Sequence, residues 1–292
     1  MYPAAIEEYI RAQTIAEALE AVGRFDEGDA LFLAGGQSAM QALKTRLLRP
    51  RCIVDLQEIV ELRGVSVDGL GVRIGATTNY AALTEESSLD GAYQAVRDAA
   101  ARVGDRQVRN RGTIGGSLCW NYIAACMPPV SLALGMEMKL IGKGGERTLP
   151  AEDFLCGPLE TERENDEILV SLNLPAAPAA TGSAYKKWGL VTDALPVIGV
   201  CAMLTLDASG ACVSARVAGG GLSDGPRRSS AAENGLTGVL PGDGDAIAEA
   251  LQAASDEIET QSDMWADADY RKQLIRSLGA EVVASAFSRA TN

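Results

Sequence analysis

The chain has 292 residues, of which 47% are hydrophobic and 22% are charged, a composition typical of one large globular domain or two ordinary ones. This composition excludes a disordered or fibrous protein. The 39 acidic and 26 basic side chains give a net charge of −13, which repels phosphate backbones, so we expect no binding to nucleic acids. The absence of histidine excludes a Ser-His-Asp triad, a Cys-His pair and every zinc site that needs imidazole.

Helix and strand signals alternate through the first half of the chain. Thr14 followed by Glu17 predicts a capping box at the start of a helix that stops at Gly23. Apolar patterns predict the next elements: a strand at 30–33, a helix from Ser38 toward Leu48, strands at 52–56 and 71–76, and helices near 79–86 and 92–103. We expect the segment 104–117, which is rich in arginine and glycine, to be a loop.

The second half changes character near residue 178. An apolar helix ending near Gly135 and strands at 136–141 and 166–174 precede a proline-rich, uncharged segment, 175–182, which is the best linker candidate. The elements predicted beyond it are antiparallel strands at 183–189, 197–206 and 211–219 and helices at 246–259 and 270–289. We therefore expect two domains, 1–177 and 178–292.

The cysteines and the N-terminus bear on metals and location. The six cysteines are spaced more widely than the ligands of an iron–sulfur cluster or a zinc ribbon, so we predict no metal site in this chain. Met1-Tyr2-Pro3 leads into a predicted acidic helix without the basic and apolar regions of a signal peptide. No apolar run reaches the roughly 18 residues that span a bilayer. We expect a cytoplasmic protein without a membrane span.

The first candidate site is the turn Ala34-Gly35-Gly36-Gln37-Ser38 between a predicted strand and a helix. Glycines let a ligand approach the main chain, and a helix N-terminus supplies unpaired N–H groups and the positive end of a dipole. This chemistry suits a pyrophosphate. The turn is neither a Walker A loop nor a GxGxxG motif, and a simple tight turn is the alternative.

The second candidate is the segment 109–117, which has three glycines within five residues. Such a segment is expected to expose many backbone amides and could wrap a flat ring or a second phosphate. A purely structural loop is the alternative.

Together, the two glycine segments resemble those of the FAD-binding subunit of the molybdenum hydroxylases, the family of xanthine dehydrogenase and aerobic carbon monoxide dehydrogenase. The resemblance covers essentially the whole chain. Further matching stretches follow at family spacing: 47–50, 54–56, 74–78, 147–154, 166–169, 184–186 and 270–271.

The resemblance implies an α+β fold, in which a two-lobed FAD-binding domain of the vanillyl-alcohol-oxidase type is followed by a smaller α+β C-terminal domain. It implies no catalytic side chain. It places the pyrophosphate and adenosine side of FAD against Phe32, Leu33, Ala34, Gly35, Gly36, Gln37, Ser38 and Ala39. It places the ribityl and diphosphate beside Thr113, Ile114, Gly115, Gly116 and Ser117.

Four further positions carry cofactor contacts by the same resemblance. Val103 would lie near the adenine or ribityl, and the backbone of Leu169 near the isoalloxazine or adenine. Lys186 matches a lysine near the cofactor, and Tyr185 matches an aromatic residue that often covers the ring. For these last two, an ordinary strand with one long side chain reaching solvent is the alternative.

The chain departs from the family pattern at two places. Where many relatives follow the second glycine segment with Ala-His-Ala-Asp-Pro and a further acidic residue, 118–128 contains no carboxylate. The usual acidic partner of a ribityl hydroxyl falls near Cys126, and Asn121 or a backbone group could replace it. The segment 188–193 lacks the Arg-Arg pair that relatives often carry. These changes leave the electron acceptor open.

The function implied by the resemblance is electron transfer. A large partner would carry the molybdenum cofactor and a small one two [2Fe–2S] clusters, in a dimer of heterotrimers, and electrons would pass through the clusters to FAD here and on to an external acceptor. One alternative is a self-contained flavin reductase or oxidase, with Tyr185 and Asp193 as candidate acid or base. The other is an assembly subunit without flavin.

Overall fold

The computed structural model describes residues 5–291, so the segment Met1-Tyr2-Pro3, for which we predict no signal peptide, lies outside the described residues. The first lobe is a parallel sheet in the order β1-β3-β2, with helices α1 and α2. Its elements are β1 (Glu8–Arg11), α1 (Ile15–Val22), β2 (Ala30–Leu33), α2 (Ala39–Lys44) and β3 (Cys52–Asp55). The predicted cap is present: the Thr14 hydroxyl accepts from the Glu17 amide at 3.1 Å, while the Glu17 carboxylate accepts from the Gln13 amide at 2.7 Å.

The second lobe is an antiparallel sheet in the order β4-β5-β10-β6-β7, packed against short helices. Its strands are β4 (Val65–Asp68), β5 (Gly71–Gly75), β6 (Glu137–Gly142), β7 (Gly145–Pro150) and β10 (Ile168–Pro175). Its helices are α3 (Tyr80–Glu85), α4 (Gln94–Ala101), α5 (Arg106–Arg111), α6 (Ile114–Trp120), α7 (Met127–Ala133) and α8 (Ala151–Phe154). A small hairpin, β8 (Leu155–Gly157) and β9 (Glu160–Thr161), follows α8.

The C-terminal domain is an antiparallel sheet in the order β11-β12-β13-β14, with one face covered by helices. Its elements are β11 (Thr181–Trp188), β12 (Ile198–Leu206), β13 (Cys212–Gly220), β14 (Arg227–Arg228), α9 (Ser230–Leu236), α10 (Gly244–Glu257) and α11 (Ala268–Ala290). The other face packs on the second lobe, because Tyr185, Cys201 and Ala218 belong to that lobe's core. The chain thus has the predicted α+β architecture of a two-lobed domain followed by a smaller one.

Polar contacts fasten the C-terminal domain to helix α4. The Arg289 guanidinium pairs with the Asp98 carboxylate at 2.5 Å and donates to the Ser183 carbonyl at 2.7 Å. The Ser183 hydroxyl in turn accepts from the Ala95 amide at 3.0 Å. These bonds therefore hold the C-terminal domain against helix α4 of the second lobe.

Three local predictions are wrong. The segment 104–117 is not a loop but contains α5 and most of α6. Asp105 and Thr113 cap these two short helices, and the caps compensate for the low helix propensity of the glycines. The acidic residues after Pro3 enter strand β1, not a helix, since they pair with β3. Helix α2 ends at Lys44, short of Leu48, because Arg46 adopts a left-handed conformation at φ +61°. Within residues 5–291, no helix is long and apolar enough to cross a membrane.

The Arg147–Glu167 pair gives a prediction about acid stability. Two hydrogen bonds of 2.7 Å from the Arg147 guanidinium hold the pKa of the buried Glu167 carboxyl below its ordinary 4.5. A depressed folded pKa contributes stability that is present above about pH 4.5 and lost as the pH falls through the folded value. We expect Glu167→Gln to flatten the fall in unfolding free energy below pH 4.5, measured by urea titration. The exposed Glu61→Gln control should keep the wild-type slope, and equal slopes in all three proteins would contradict the prediction.

Candidate cofactor site

The first glycine segment presents a row of free amides. Strand β2 ends where the Leu56 amide donates to the Leu33 carbonyl at 2.9 Å, and Gly36 turns the chain with φ +72°. None of the six amide groups of residues 34–39 donates to a backbone carbonyl of the described residues. Unpaired backbone N–H groups that face a common space attract an anion. This row is therefore suited to a phosphate or diphosphate.

The second glycine segment uses its amides differently. At the start of α6, Ile114 donates to the Thr78 carbonyl at 3.1 Å and Gly115 to the Ala76 carbonyl at 2.8 Å. The Gly116 and Ser117 amides donate to the hydroxyl and carbonyl of the capping Thr113, each at 3.1 Å. The prediction that this segment exposes many amides is wrong, because helix formation and the packing of α6 on the segment after β5 consume them.

The two glycine segments interlock. A Cβ atom on Gly35 would lie 2.0 Å from the Arg111 carbonyl oxygen, and one on Gly115 would lie 2.6 Å from the Ala76 carbonyl oxygen. A Cβ on Gly116 would meet the Thr113 hydroxyl at 2.7 Å and the Ala34 methyl at 4.0 Å. Both segments thus meet at one junction, and the close approach requires glycine at 35 and 115.

A cleft of about 310 Å³ opens beside this junction and is lined by Thr113, Arg111 and Asn79 among others. Ser117 lies one turn further along α6 and bonds the phenol of Tyr80; the pKa of Tyr80 is raised because its side chain is buried. A larger hollow of about 490 Å³, between Gly23 and Asp166, contains none of the predicted site residues.

Val103 and Leu169 are linked to the two glycine segments by backbone hydrogen bonds of their own or of neighbouring residues. The Val103 carbonyl, at the end of α4, accepts from the Arg109 guanidinium of α5 at 3.2 Å. Leu169 is buried in β10, whose next residue, Val170, accepts from the Ala76 amide at 3.0 Å. Ala76 is the residue that receives the Gly115 amide, so Leu169 lies beneath the start of α6. Cofactor contact at Val103 and Leu169 stays a prediction.

Strand β11 places Tyr185 and Lys186, which were both predicted to contact the cofactor, on opposite faces. Tyr185 faces the second lobe, is 3% exposed, and its hydroxyl has no hydrogen-bond partner among the described residues. Lys186 faces α11 and forms an ion pair with Glu281. Alternation along a strand sends neighbouring side chains to opposite faces. The two side chains therefore point to opposite faces of β11, and cofactor contact at Tyr185 and Lys186 stays a prediction.

Lys187 is the lysine that shares the face of Tyr185 toward the second lobe. It is 9% exposed, and its ammonium donates to the Ala194 carbonyl at 2.5 Å. Cys126 lies beside both Lys187 and the Tyr185 hydroxyl, and burial raises the pKa of its thiol. Alternation along β11 places Lys187 on the face of Tyr185 and Lys186 on the opposite face.

The amide nitrogen of Asn121 is not available to replace the acidic residue that relatives carry near Cys126. The residue ends α6 in a left-handed conformation, and its Nδ2 donates to the carbonyls of Gly157 and Glu160 at 2.7 and 3.0 Å. These bonds hold the β8–β9 hairpin. Its Oδ1 is buried without a partner among the described residues. Within the same range, no group of three or more acidic or cysteine side chains could hold a metal ion.

A two-domain α+β chain with a free-amide row and interlocked glycine segments has the features of a dinucleotide-binding flavoprotein. Comparison with protein families agrees: residues 4–177 match the FAD binding domain in molybdopterin dehydrogenase, and residues 183–286 match the CO dehydrogenase flavoprotein C-terminal domain. The chain belongs to this family of FAD-binding oxidoreductase subunits.

Individual relatives match over nearly their full length. The 6-hydroxypseudooxynicotine dehydrogenase complex subunit alpha of Paenarthrobacter nicotinovorans is 32% identical over 97% of this chain and 95% of its own. The carbon monoxide dehydrogenase medium chain of Hydrogenophaga pseudoflava is 31% identical over 97% of both. Two solved structures superpose well on this chain. Carbon monoxide dehydrogenase of H. pseudoflava has a TM-score of 0.90 and 31% sequence identity, with 99% of both chains covered. Quinoline 2-oxidoreductase of Pseudomonas putida 86 has a TM-score of 0.91 and 27% sequence identity, with 100% of both chains covered.

Proposed function

We propose that this chain is the FAD-carrying electron-transfer subunit of a molybdenum-dependent hydroxylase or dehydrogenase complex. The observation that carries the proposal is the row of six free amides at 34–39, which packs against the end of α5 through Gly35 and lies beside α6 at Ala34. Such a row can neutralise a diphosphate without a lysine or a metal. In this proposal the amides of 34–39 bind the diphosphate, and Ser117 and Thr113 border it.

The chain's own residues bind and orient the cofactor. When bound, FAD supplies the redox chemistry. The second-lobe face of β11, with Tyr185 and Lys187, closes the site from the C-terminal side and excludes water. Electron transfer requires no nucleophile or base from the protein.

Partner subunits would hold the remaining centres. Relatives are named as a medium chain, as an FAD-binding subunit, or as a subunit of a complex. We propose a large subunit with the molybdenum cofactor and a small one with two [2Fe–2S] clusters. Their arrangement as a dimer of heterotrimers, the cytoplasmic location and the domain boundary near 177 remain predictions.

We expect one FAD per chain, bound without a covalent link. The chain has no histidine for a histidyl-flavin bond, and the thiol of Cys126 is buried beside Tyr185 and Lys187. Acid precipitation of the purified yellow chain should release all flavin absorbance into the supernatant. Flavin that stays on the protein pellet would contradict this prediction, whereas a colourless protein would favour the flavin-free assembly subunit.

The self-contained oxidase is tested on the isolated chain. We expect the flavin of the isolated chain to remain oxidised when the organic substrate of the complex is added without air, and to be reduced once both partner subunits are present. Reduction by substrate in the chain alone would contradict the proposal.

A further inference from the structure

The turn that precedes helix α11 presents a methionine and a tryptophan to solvent. Met264 is 84% exposed and Trp265 is 54% exposed. The Asp263 carboxylate fixes the backbone of this turn, because it accepts from the amides of Trp265 and Ala266 at 2.8 and 3.1 Å and pairs with the Arg271 guanidinium at 2.5 Å. Two large apolar side chains therefore project from an ordered turn.

A second exposed apolar segment adjoins this turn. In the connection between β11 and β12, three apolar side chains are each at least half exposed: Leu190, Val191 and Leu195. The two segments meet at Arg271, whose guanidinium bonds both the Val197 carbonyl and the Asp263 carboxylate. The rings of Trp188 and Tyr270 also pack edge to face there, with their centroids 5.3 Å apart. We call the surface formed by the exposed residues of both segments the Trp265 surface: Leu190, Val191, Leu195, Met264, Trp265 and Tyr270.

The composition of the Trp265 surface is that of a protein interface. Contiguous exposed apolar side chains on a folded chain mark interaction sites. Methionine, tryptophan and tyrosine are enriched at interfaces, and tryptophan and tyrosine often carry most of the binding energy. Since these side chains are exposed within the described part of the chain, another molecule has to bury them.

The charges around the Trp265 surface have one sign and select the kind of partner. The segment 255–270 contains six carboxylates and no basic side chain. Asp193, Glu259 and Asp269 are exposed and take part in no ion pair within residues 5–291. This rim repels a second copy of the chain, whose net charge is also −13, as well as nucleic acids and anionic membranes. A complementary surface is apolar at its centre and carries lysine and arginine at its edge.

Resting on the proposed function, we propose that the Trp265 surface is where a partner subunit of the complex docks, through an apolar patch of that subunit rimmed by lysine and arginine. Met264 and Trp265 are the central anchors, and Glu259 and Asp269 pair with the basic rim. Because Asp263 already orders the turn, docking requires little reordering of this chain, which favours tight association.

The anchors are tested on the complex, purified through a tag on this chain and diluted stepwise while mass photometry follows its dissociation. We expect Met264→Asp and Trp265→Ser to weaken subunit association by at least about tenfold, with flavin content and circular dichroism unchanged. Leu240→Asp is the matched control and should associate as the wild type does. Leu240 is similarly exposed but lies at the opposite end of the sheet, since the neighbouring Val239 carbonyl accepts from the Cys212 amide at the start of β13.

The charged rim is tested by Glu259→Lys, with Glu249→Lys, two turns before the end of α10, as its control. Wild-type association should weaken as salt rises from about 0.05 M to about 0.5 M, because salt screens charges at the rim of an interface. Glu259→Lys should weaken association at low salt and lose most of this salt dependence, whereas Glu249→Lys should keep both. In the wild-type complex, a carbodiimide, which joins a carboxylate directly to an amine, should cross-link Glu259 or Asp269 to a lysine of the partner subunit.

The contrary outcomes are distinct. Wild-type association of both Met264→Asp and Trp265→Ser, or equal weakening by Leu240→Asp, would overturn the assignment. So would a wild-type complex in which neither Glu259 nor Asp269 cross-links to another subunit, or loss of flavin and fold in both anchor variants, because the surface would then serve the chain's own structure. A wild-type chain that purifies with its flavin but without any partner subunit would instead refute the proposed function.

Discussion

The Gly35→Ala variant is expected to lose most of its flavin. The new Cβ would lie 2.0 Å from the Arg111 carbonyl oxygen, and main-chain atoms of a capped helix cannot move aside as a flexible side chain can. Overpacking of this kind costs about 1–3 kcal/mol. Because the strain separates the free-amide row from α5 and α6, we expect FAD affinity to fall by at least about tenfold, which corresponds to 1.4 kcal/mol. The measurement is flavin content per chain and the FAD dissociation constant.

Gly69→Ala is the matched control for this substitution. Gly69 lies in the turn between β4 and β5, and a Cβ there would meet no atom within 4 Å. This variant should keep its flavin and its stability. Full flavin occupancy in a stable Gly35→Ala protein would show that the glycine junction does not position the cofactor.

A second large effect is expected at Arg271, in the C-terminal domain. Its buried guanidinium donates to the carbonyls of Val197 and Gly221 at 2.6 and 3.0 Å and pairs with Asp263 at 2.5 Å. Arg271→Met leaves these groups without their donor. A buried acceptor left without its donor typically costs about 1–3 kcal/mol, and the exposed Asp263 carboxylate adds little. We expect a loss of this size in the free energy of unfolding measured in urea.

The neighbouring Lys272→Met serves as its control. Lys272 is partly exposed, so its replacement should change the unfolding free energy by no more than about 0.5 kcal/mol. If Arg271→Met were no less stable than Lys272→Met, the guanidinium would not be the link between helix α11 and the ends of β12 and β13.

Much of the fold could be predicted where local signals are strong. The cap at Thr14, the hairpin of β12 and β13, and the long helix α11 all have residue patterns within their own segments. Strand β1 could not be predicted, because four residues become a strand only through pairing with β3, more than 40 positions away. Helices α5 and α6 were not predicted, because the glycines of this segment indicated a loop more strongly than the caps at Asp105 and Thr113 indicated helices.

The sequence predicts the segments that form the candidate site but not how they contact one another. Sequence motifs located both glycine segments, yet which amides stay free depends on tertiary contacts: Ala76 and Thr78 consume those of α6, while residues 34–39 keep theirs. The resemblance points to Lys186, whereas Lys187 shares the face of Tyr185, and the prediction for Lys186 stays a prediction. A shift of one residue reverses the face of a strand, and only the packing of Tyr185 against the second lobe fixes which face is which.

The most direct test of the central claim is to tag this chain, purify it from its native host and assign each cofactor to a chain after dissociation. We predict that a large and a small subunit co-purify, that FAD stays with this chain, and that iron and molybdenum stay with the partners. A tagged chain that purifies alone and turns over an organic substrate, or flavin that separates with another subunit, would contradict the account.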